Sequence, residues 1–239
     1  MGAFLELEGV RAGYGGGDIL QGIDLKVDEA SLTCIVGPNG AGKSTVLRVI
    51  SGLLRPSAGS VRFRGDSLVG LSPRAILARG IVQVPQERSL FPTMSVWENV
   101  RLGAFSVHDR RLIERRLEIV CEMFPIVTER RDEPAASLSG GQQKIVEFAR
   151  ALMLDPDLLI LDEPSMGLDP KTRTLVFNTV RDMNKSGRTL LLVEQNARSG
   201  LGIASRGVVM ESGRVRLEGP GPDVLNNPEI GRLYLGAIA

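Results

Sequence analysis

The chain has 239 residues, 43% of them hydrophobic, which is enough to build the core of one large domain or two small ones. Its 29 basic and 28 acidic residues give a net charge of +1, so no overall field favours an anionic partner, and we expect no nucleic acid. No apolar run approaches the ~18 residues of a membrane span, and the first residues lack the pattern of a signal peptide. These features predict a cytoplasmic protein in which Cys34 and Cys121 are reduced core residues.

Two half-buried strands open the chain. Residues 4–8 alternate apolar and acidic, and Ile19–Val27 repeats a similar pattern, which predicts an antiparallel layer. Tyr14 lies between them in a glycine-rich loop, where a tyrosine can either stack on an adenine ring or simply be exposed. The apolar run Leu32–Val36 follows and predicts a buried strand.

The next stretch matches the phosphate-loop pattern, a glycine and four free positions before Gly-Lys-Ser or Gly-Lys-Thr. Its residues are Gly37, Pro38, Asn39, Gly40, Ala41, Gly42, Lys43, Ser44 and Thr45. Backbone N–H groups of such a loop point at phosphate oxygens, and the helix that opens at Lys43 adds the positive end of its dipole. We expect Lys43 to reach the β- and γ-phosphates and Ser44 to ligate Mg²⁺. An ordinary glycine-rich turn is the alternative, which the preceding buried strand disfavours.

The middle of the chain changes from strands to helices. Ile81–Val84 predicts a strand that Pro85 ends, so Gln86 lies just past a strand end, where α/β sheets place ligand-binding side chains. From about residue 88 to 155 the pattern is helical. Apolar residues recur there at helical spacing among many charges, which indicates a helix with a solvated face. They are Leu112, Leu117, Ile119, Val120 and Met123.

A pair of acids ends another buried strand. Leu158–Leu161 runs directly into Asp162 and Glu163, and Thr189–Val193 predicts a further apolar strand, so a parallel sheet covered on both faces is indicated. Beside a phosphate loop, Asp162 would hold Mg²⁺ and Glu163 would polarise the water that attacks the γ-phosphorus. We expect strand alternation to point the two carboxylates in different directions. A chance pair of acids in a turn is the alternative.

Ser139, Gly140, Gly141 and Gln142 form a second candidate site for an anion. We expect Ser139 and the two glycines to precede an amphipathic helix whose first N–H groups are free to bind it. One chain thus offers two phosphate-binding ends but a single phosphate loop.

With these motifs the chain resembles an ATP-binding cassette (ABC) subunit over essentially its whole length. The likeness rests on the phosphate loop at 37–45, Leu-Ser-Gly-Gly-Gln at 138–142, Asp162-Glu163, the loop at 165–169, Tyr14 and Gln86. The resemblance implies an α/β fold: a P-loop NTPase core with a mainly parallel sheet, an N-terminal antiparallel β layer and an inserted α-helical subdomain. All of these would belong to one nucleotide-binding domain, 1–239, with the helical subdomain at about 88–155.

The resemblance also implies how ATP and Mg²⁺ are bound. Two subunits would pair head to tail, with ATP between the phosphate loop of one and Ser139–Gln142 of the other. Tyr14 would stack on the adenine, Gln86 would contact Mg²⁺ and the attacking water, and Asp169 would link the two sites across the dimer. Glu163 would be the catalytic base.

Three further partners follow from the same resemblance. The helical subdomain would dock integral-membrane permease subunits, with residues 89–100, including Phe91 and Trp97, forming part of the groove. The second cassette would be a sister chain or another copy of this one, and an extracytoplasmic solute-binding protein would act indirectly. The chain would then lie peripherally on the inner face of the cell membrane.

Within the family, Leu192–Ala197 and Tyr234–Gly236 resemble the cassette of branched-chain amino acid importers. Many of those subunits carry Glu at the position of Gln86 and Ala at that of Asp169, so this chain departs from them at both. Most cassette ATPases place a histidine where this chain has Gln195, in contact with the γ-phosphate. A glutamine donates a hydrogen bond but cannot become cationic, so we predict hydrolysis that is slower by several-fold rather than abolished.

Other functions remain open at this point. Urea and short-amide importers use closely similar cassettes. A non-transport ABC protein would be favoured by tandem cassettes or long coiled-coil insertions, and the chain has neither. An ATP-dependent dimerisation module with little hydrolysis has Gln195 as its only support.

Overall fold

The computed structural model describes residues 3–230, so Tyr234–Gly236 lie outside the described residues. The strands are β1 Leu5–Gly13, β2 Asp18–Val27, β3 Leu32–Val36, β4 Ala58–Phe63, β5 Asp66–Ser67, β6 Ile81–Val84, β7 Leu158–Asp162, β8 Thr189–Glu194, β9 Arg206–Glu211 and β10 Arg214–Pro220. The helices are α1 Lys43–Ile50, α2 Pro73–Leu77, α3 Val96–Leu102, α4 Arg110–Met123, α5 Ile126–Glu129, α6 Gly140–Leu152, α7 Pro170–Lys185, α8 Ala197–Leu201 and α9 Gly221–Leu225, with a 3-10 turn at Ala135–Ser137.

Two sheets organise the strands. The larger has the order β10-β9-β3-β8-β7-β6, in which every pair is parallel except the antiparallel β9–β10 hairpin. The smaller, β2-β1-β4-β5, is antiparallel throughout. The predicted combination of a mainly parallel sheet and an N-terminal antiparallel layer is therefore confirmed.

Burial explains this arrangement. Every residue of β3, β7 and β8 is buried, because one face of the large sheet packs on helices and the other on α1 and the small sheet. β10, at the edge, has no fully buried residue. Cys34 is free and buried in β3, and Cys121 is free and half-buried on α4. Within residues 3–230, no helix combines the length and apolar character that crossing a membrane requires.

The insertion between β6 and β7 is helical, as predicted, and contains α3 to α6. On α4, Leu117 and Val120 are buried, whereas Ile119 is 46% exposed. Ile119 lies on the solvated side of the helix because it is two positions from Leu117, which is about 200° around a helix. Ile113, four positions before Leu117, packs against the core instead.

The parallel order brings four connections to one edge of the large sheet. The phosphate loop follows β3, Gln86 follows β6, Glu163 follows β7 and Gln195 follows β8. Since the carboxyl ends of parallel strands meet at the same edge, residues far apart in sequence come together there.

Candidate active site at the strand ends

The phosphate loop holds Lys43 beside an acid. Gly42 has a φ of 101°, a conformation that favours glycine, and it turns the chain into α1. The Lys43 side chain is buried, and its Nζ donates to the carbonyls of Gly37 (2.8 Å) and Pro38 (3.3 Å). The same ammonium lies 3.4 Å from Glu163 Oε1. The loop therefore places a fixed positive charge at the end of β7.

The other phosphate-loop residues divide by burial. Ala41 and Thr45 are buried, and Gly37 has no room for a side chain because a Cβ there would lie 2.5 Å from the Met210 carbonyl oxygen. The exposed members are Pro38, Asn39, Gly40 and Ser44. Their backbone and the Ser44 hydroxyl are the groups open to a ligand.

A turn, and not the strand, determines the backbone conformation of Glu163. β7 ends at Asp162, and Glu163 has a left-handed φ of 42°, although its N–H still donates to Val193 O (2.9 Å). That conformation costs a non-glycine residue ~1–2 kcal/mol. The expectation that strand alternation directs Glu163 was therefore wrong, because the alternation has already ended.

Gln86 completes a contact set from three strand ends. Its Nε2 donates to Glu163 Oε2 (3.1 Å) and to Met166 Sδ (2.8 Å). Glu163 thus has one oxygen facing Lys43 and the other facing Gln86. The structure brings these three predicted residues together from β3, β6 and β7.

Asp162 has the features of a cation ligand. It is 9% exposed, and its Oδ1 is buried without a hydrogen-bond partner among the described residues. Burial and the charge of Glu163 raise the pKa of Asp162 to about 6, and Lys43 opposes this shift. Residues 3–230 contain no cluster of three or more His, Cys, Asp and Glu that could hold a metal alone. A single open carboxylate fits Mg²⁺, which keeps phosphate and water oxygens among its ligands.

A cavity of about 330 Å³ lies beside Glu163, and exposed Gln195 lines it. Its buried wall is Glu194, which is 2% exposed and accepts a hydrogen bond from Ser165 N at 3.2 Å. Burial raises the pKa of Glu194 to about 7, and Glu163 adds to the shift while hydrogen bonds from Ser165 oppose it. Gln195 was predicted as a site residue from the sequence, whereas Glu194 was not. The signal was available, because Glu194 ends an apolar strand just as Asp162 does.

Tyr14 is tethered to the phosphate-loop helix. Its side chain is 52% exposed, and its hydroxyl accepts a hydrogen bond from Arg48 Nη1 on α1 (2.9 Å). The Arg48 guanidinium also lies 5.5 Å from the centroid of the tyrosine ring. The ring is therefore accessible and held beside α1, although it lies in the loop between β1 and β2.

Ser139 caps α6. The helix begins at Gly140, so the two glycines form its first turn and do not precede it as expected. Gln142 N donates to Ser139 Oγ (3.4 Å), and Ser139 N donates to Gln142 Oε1 (3.0 Å). Gly141 is buried, and a Cβ there would overlap Thr172 Cγ2. The accessible part of this predicted anion site is thus Ser139 and the start of the helix.

Asp169 caps α7, where its carboxylate accepts from Lys171 N (3.0 Å) and Thr172 N (3.1 Å). Those hydrogen bonds, chiefly with Thr172, lower the pKa of Asp169. Among the described residues, neither Asp169 nor Ser139 makes a hydrogen bond or ion pair with Lys43, Glu163 or Gln86. Within one chain they are exposed helix starts apart from the strand-end cluster.

An apolar groove of about 1130 Å³ runs beside α2 and β6, with Leu53 and Phe105 exposed along it by 64% and 69%. Phe91, 53% exposed, lines the adjoining cavity. Trp97 is among the lining residues of neither cavity, because it packs on the core with the Arg131 guanidinium 3.9 Å from its ring centroid. Phe91 thus lines a cavity and Trp97 lines neither of these two, and Leu53 and Phe105 are exposed apolar residues that the sequence did not single out.

Comparison with known proteins places this geometry among cassettes. The family model described as "ABC transporter" matches residues 20–166. The chain is 37% identical to the high-affinity branched-chain amino acid transport ATP-binding protein BraG of Pseudomonas aeruginosa, covering 97% of this chain and 99% of BraG. It is 32% identical to the probable branched-chain amino acid transport ATP-binding protein LivF of Archaeoglobus fulgidus, covering 96% and 97% of the two chains.

A relative with a different role is also similar. The Nod factor export ATP-binding protein I of Cupriavidus pinatubonensis is 36% identical over 94% of this chain, but only 69% of that protein is covered. Among solved structures, the ADP conformation of an ATP-binding cassette of an ABC transporter superposes with a TM-score of 0.88 at 29% identity. The match covers 99% of this chain and 100% of the other.

Proposed function

The chain belongs to the ABC transporter family as one of its ATP-hydrolysing cassettes, and from this premise we propose that it drives an importer for branched-chain amino acids. The observation that carries the catalytic assignment is the contact set of Lys43, Glu163 and Gln86. The solute is supported by similarity to BraG and LivF, which the chain matches over almost their whole length. The export relative is matched over only 69% of its length, whereas BraG and LivF are matched over 99% and 97% of theirs.

ATP would lie on the phosphate loop. The carbonyls of Gly37 and Pro38 already hold Lys43, so its ammonium can stabilise the β- and γ-phosphates with little reorganisation. Tyr14 would stack on the adenine ring, since Arg48 keeps the tyrosine close to α1.

Glu163 would act as the general base. Contacts to both oxygens fix its carboxylate, and the base would accept a proton from the water that attacks the γ-phosphorus. Gln86 would help to orient that water, because its amide already contacts Glu163. Gln195, at the rim of the same cavity, would donate its amide to the γ-phosphate.

Asp162, Ser44 and Gln86 would hold Mg²⁺. The open Oδ1 of Asp162 supports this assignment, since a buried acceptor without a partner gains most from a cation. When bound, the ion would neutralise charge that develops on the phosphates during transfer. Its positive charge would also keep Asp162 ionised at neutral pH.

A second cassette would complete the site. The exposed start of α6, at Ser139 and Gly140, offers N–H groups and a hydroxyl to the ATP of a partner chain. Gly141 and Gln142 would support that surface, one by packing on α7 and the other by capping α6. Asp169, which caps α7, would link the two sites. Similarity to branched-chain importers favours a sister chain as partner.

Permease subunits would dock on the apolar groove. Exposed Phe91, Phe105 and Leu53 give it the large unpaired apolar surface that marks a protein interface. The chain would then lie on the inner face of the cell membrane. An extracytoplasmic solute-binding protein would deliver solute to the other side.

Reconstitution tests the proposal. The chain would be co-expressed with permease subunits and a sister cassette of a branched-chain amino acid importer, and uptake of leucine, urea and a short amide would be measured in vesicles. We expect ATP-dependent uptake of leucine, which Glu163→Gln abolishes while ATP binding persists. Glu29→Gln, at an exposed position, controls for charge removal. Uptake of urea or the amide alone would overturn the solute assignment. Absence of phosphate release with the permease present would overturn the enzymatic one.

A further inference from the structure

A buried charged cluster on α6 has no part in the roles described above. Lys144 and Glu147 are 7% and 2% exposed. Glu147 Oε1 accepts from the backbone N–H of Ser89 (2.6 Å) and from its hydroxyl (3.0 Å), and Glu147 Oε2 lies 2.6 Å from Lys144 Nζ. The carboxylate is thus hydrogen-bonded to a loop that lies 58 residues away in sequence.

Two cations on α6 donate further hydrogen bonds to the same loop. Arg150 Nη1 donates to the Ser89 carbonyl (2.7 Å), and its other terminal nitrogen donates to the Ser89 hydroxyl. Lys144 Nζ donates to the Pro85 carbonyl (3.3 Å). We name Lys144, Glu147, Arg150 and Ser89 the α6 clasp. Since the clasp holds the chain at residues 85 and 89, it fixes both ends of the segment that carries Gln86.

Stability alone is a poor explanation of the clasp. Desolvating three charges is costly, and well-packed apolar side chains commonly stabilise such a position equally well. Charged groups add geometric specificity, because the hydrogen bonds of the carboxylate and the guanidinium fix the position of the Ser89 backbone. Gln86, three residues earlier, is the only residue of the segment 85–89 that contacts Glu163 in the described hydrogen bonds.

We propose that Glu147 is a positioning residue: through Ser89 it sets the Gln86 amide against Glu163 and couples the Gln86 segment to the Ser139 end of α6. This inference rests on the proposed ATPase function. Ser139 caps the same helix that carries Lys144, Glu147 and Arg150, so a shift of the Gln86 segment would act on α6 through these three side chains. In a cassette pair, Ser139 faces the ATP of the partner. Nucleotide at one site would thereby be sensed at the other.

The test is a double-mutant cycle on phosphate release by the assembled transporter. Glu147→Gln keeps the shape and one acceptor but removes the charge, and we expect kcat to fall about fivefold. Glu147→Ala should lower kcat by ten- to a hundredfold, since a misplacement of about 1 Å is enough for such losses. The KM for ATP should change by less than about twofold, because the phosphate loop is not altered.

The decisive comparison uses Gln86→Ala. If Glu147 acts through Gln86, both Glu147 variants should lower kcat by less than about twofold in the Gln86→Ala background, and the Hill coefficient for ATP should approach one in each. Additive losses, or unchanged cooperativity in Glu147→Gln, would overturn the inference. Glu29→Gln should leave kcat unchanged. Should Glu147→Ala fail to fold, the cycle with Glu147→Gln decides alone. A wild-type transporter without phosphate release would instead reject the proposed function.

Discussion

Glu194→Gln should stabilise the protein, and the gain should grow as the pH rises. In the folded chain the pKa of Glu194 is about 7, against an ordinary 4.5, because burial penalises its charge. The folded state therefore holds the proton more tightly than the unfolded state, and stability falls between pH 4.5 and 7. Over that interval the free energy of unfolding falls by about 3 kcal/mol, since each pH unit contributes about 1.4 kcal/mol. Glutamine is neutral at every pH and keeps the acceptor for Ser165 N, so it removes the penalty but not the hydrogen bond.

Urea denaturation of the isolated cassette measures this effect. The fluorescence of Trp97, the single tryptophan, reports the transition, and its packing against Arg131 makes it sensitive to unfolding. We expect the variant to be more stable by about 3 kcal/mol at pH 8 and by less than about 1 kcal/mol at pH 5, where Glu194 of the wild type is protonated.

The matched control is Glu29→Gln, which removes the same charge from a side chain that is 71% exposed. It should change the free energy of unfolding by less than about 0.5 kcal/mol at either pH. A gain from Glu194→Gln that is equal at pH 5 and pH 8 would refute the buried-charge argument. So would a loss of stability at pH 8, since it would mean that the ionised carboxylate is the favoured partner of Ser165.

Three further predictions concern the nucleotide site. Gln195→His should raise kcat for ATP hydrolysis about fivefold at pH 6, where the imidazole is largely cationic, and by less at pH 8. Phosphate release measures both rates. The same increase over the wild type at both pH values would contradict a charge effect. Ser139→Arg should abolish cooperative hydrolysis but change the Kd of a fluorescent nucleotide for the isolated cassette by less than about twofold. Weaker binding to the isolated cassette would show that Ser139 contacts the nucleotide of its own chain and not that of the partner. Gly141→Ala should lower the free energy of unfolding by about 1–3 kcal/mol because its Cβ overlaps Thr172 Cγ2, and Thr172→Ser should recover most of the loss in the same denaturation assay.

Much of the fold and of the site could be predicted from the apolar strands and the points at which they end. Leu32–Val36, Ile81–Val84 and Leu158–Leu161 are fully or nearly fully apolar, and each is followed at once by a polar or glycine-rich turn. Such local patterns predict both a buried parallel strand and the place where it stops. Since parallel strands end at a common edge, Gln86 and Glu163 could be expected to meet before their 3.1 Å contact was known.

The misses have two causes: some depend on contacts between distant segments, and one depends on a local backbone conformation. Trp97 packs against Arg131, 34 positions later in the sequence, and nothing local in residues 89–100 signals that contact. Glu147 was not predicted to have a role, because its partner Ser89 lies 58 residues away in a loop after β6. Glu163 was assigned to strand alternation because a left-handed φ leaves no mark in the sequence when the residue is not glycine or asparagine.

The strand-end cluster concentrates features that oppose folding. Within residues 3–230, the carboxyl groups whose pKa is raised are Asp162 and Glu194, and Glu163 lies between them with a strained φ. Lys43 is the cation that lies in contact with this group. The excess negative charge would be compensated if a divalent cation entered with the nucleotide, whereas a nucleotide without one adds further negative charge. A divalent cation that enters with the nucleotide would therefore be the electrostatic complement of this cluster.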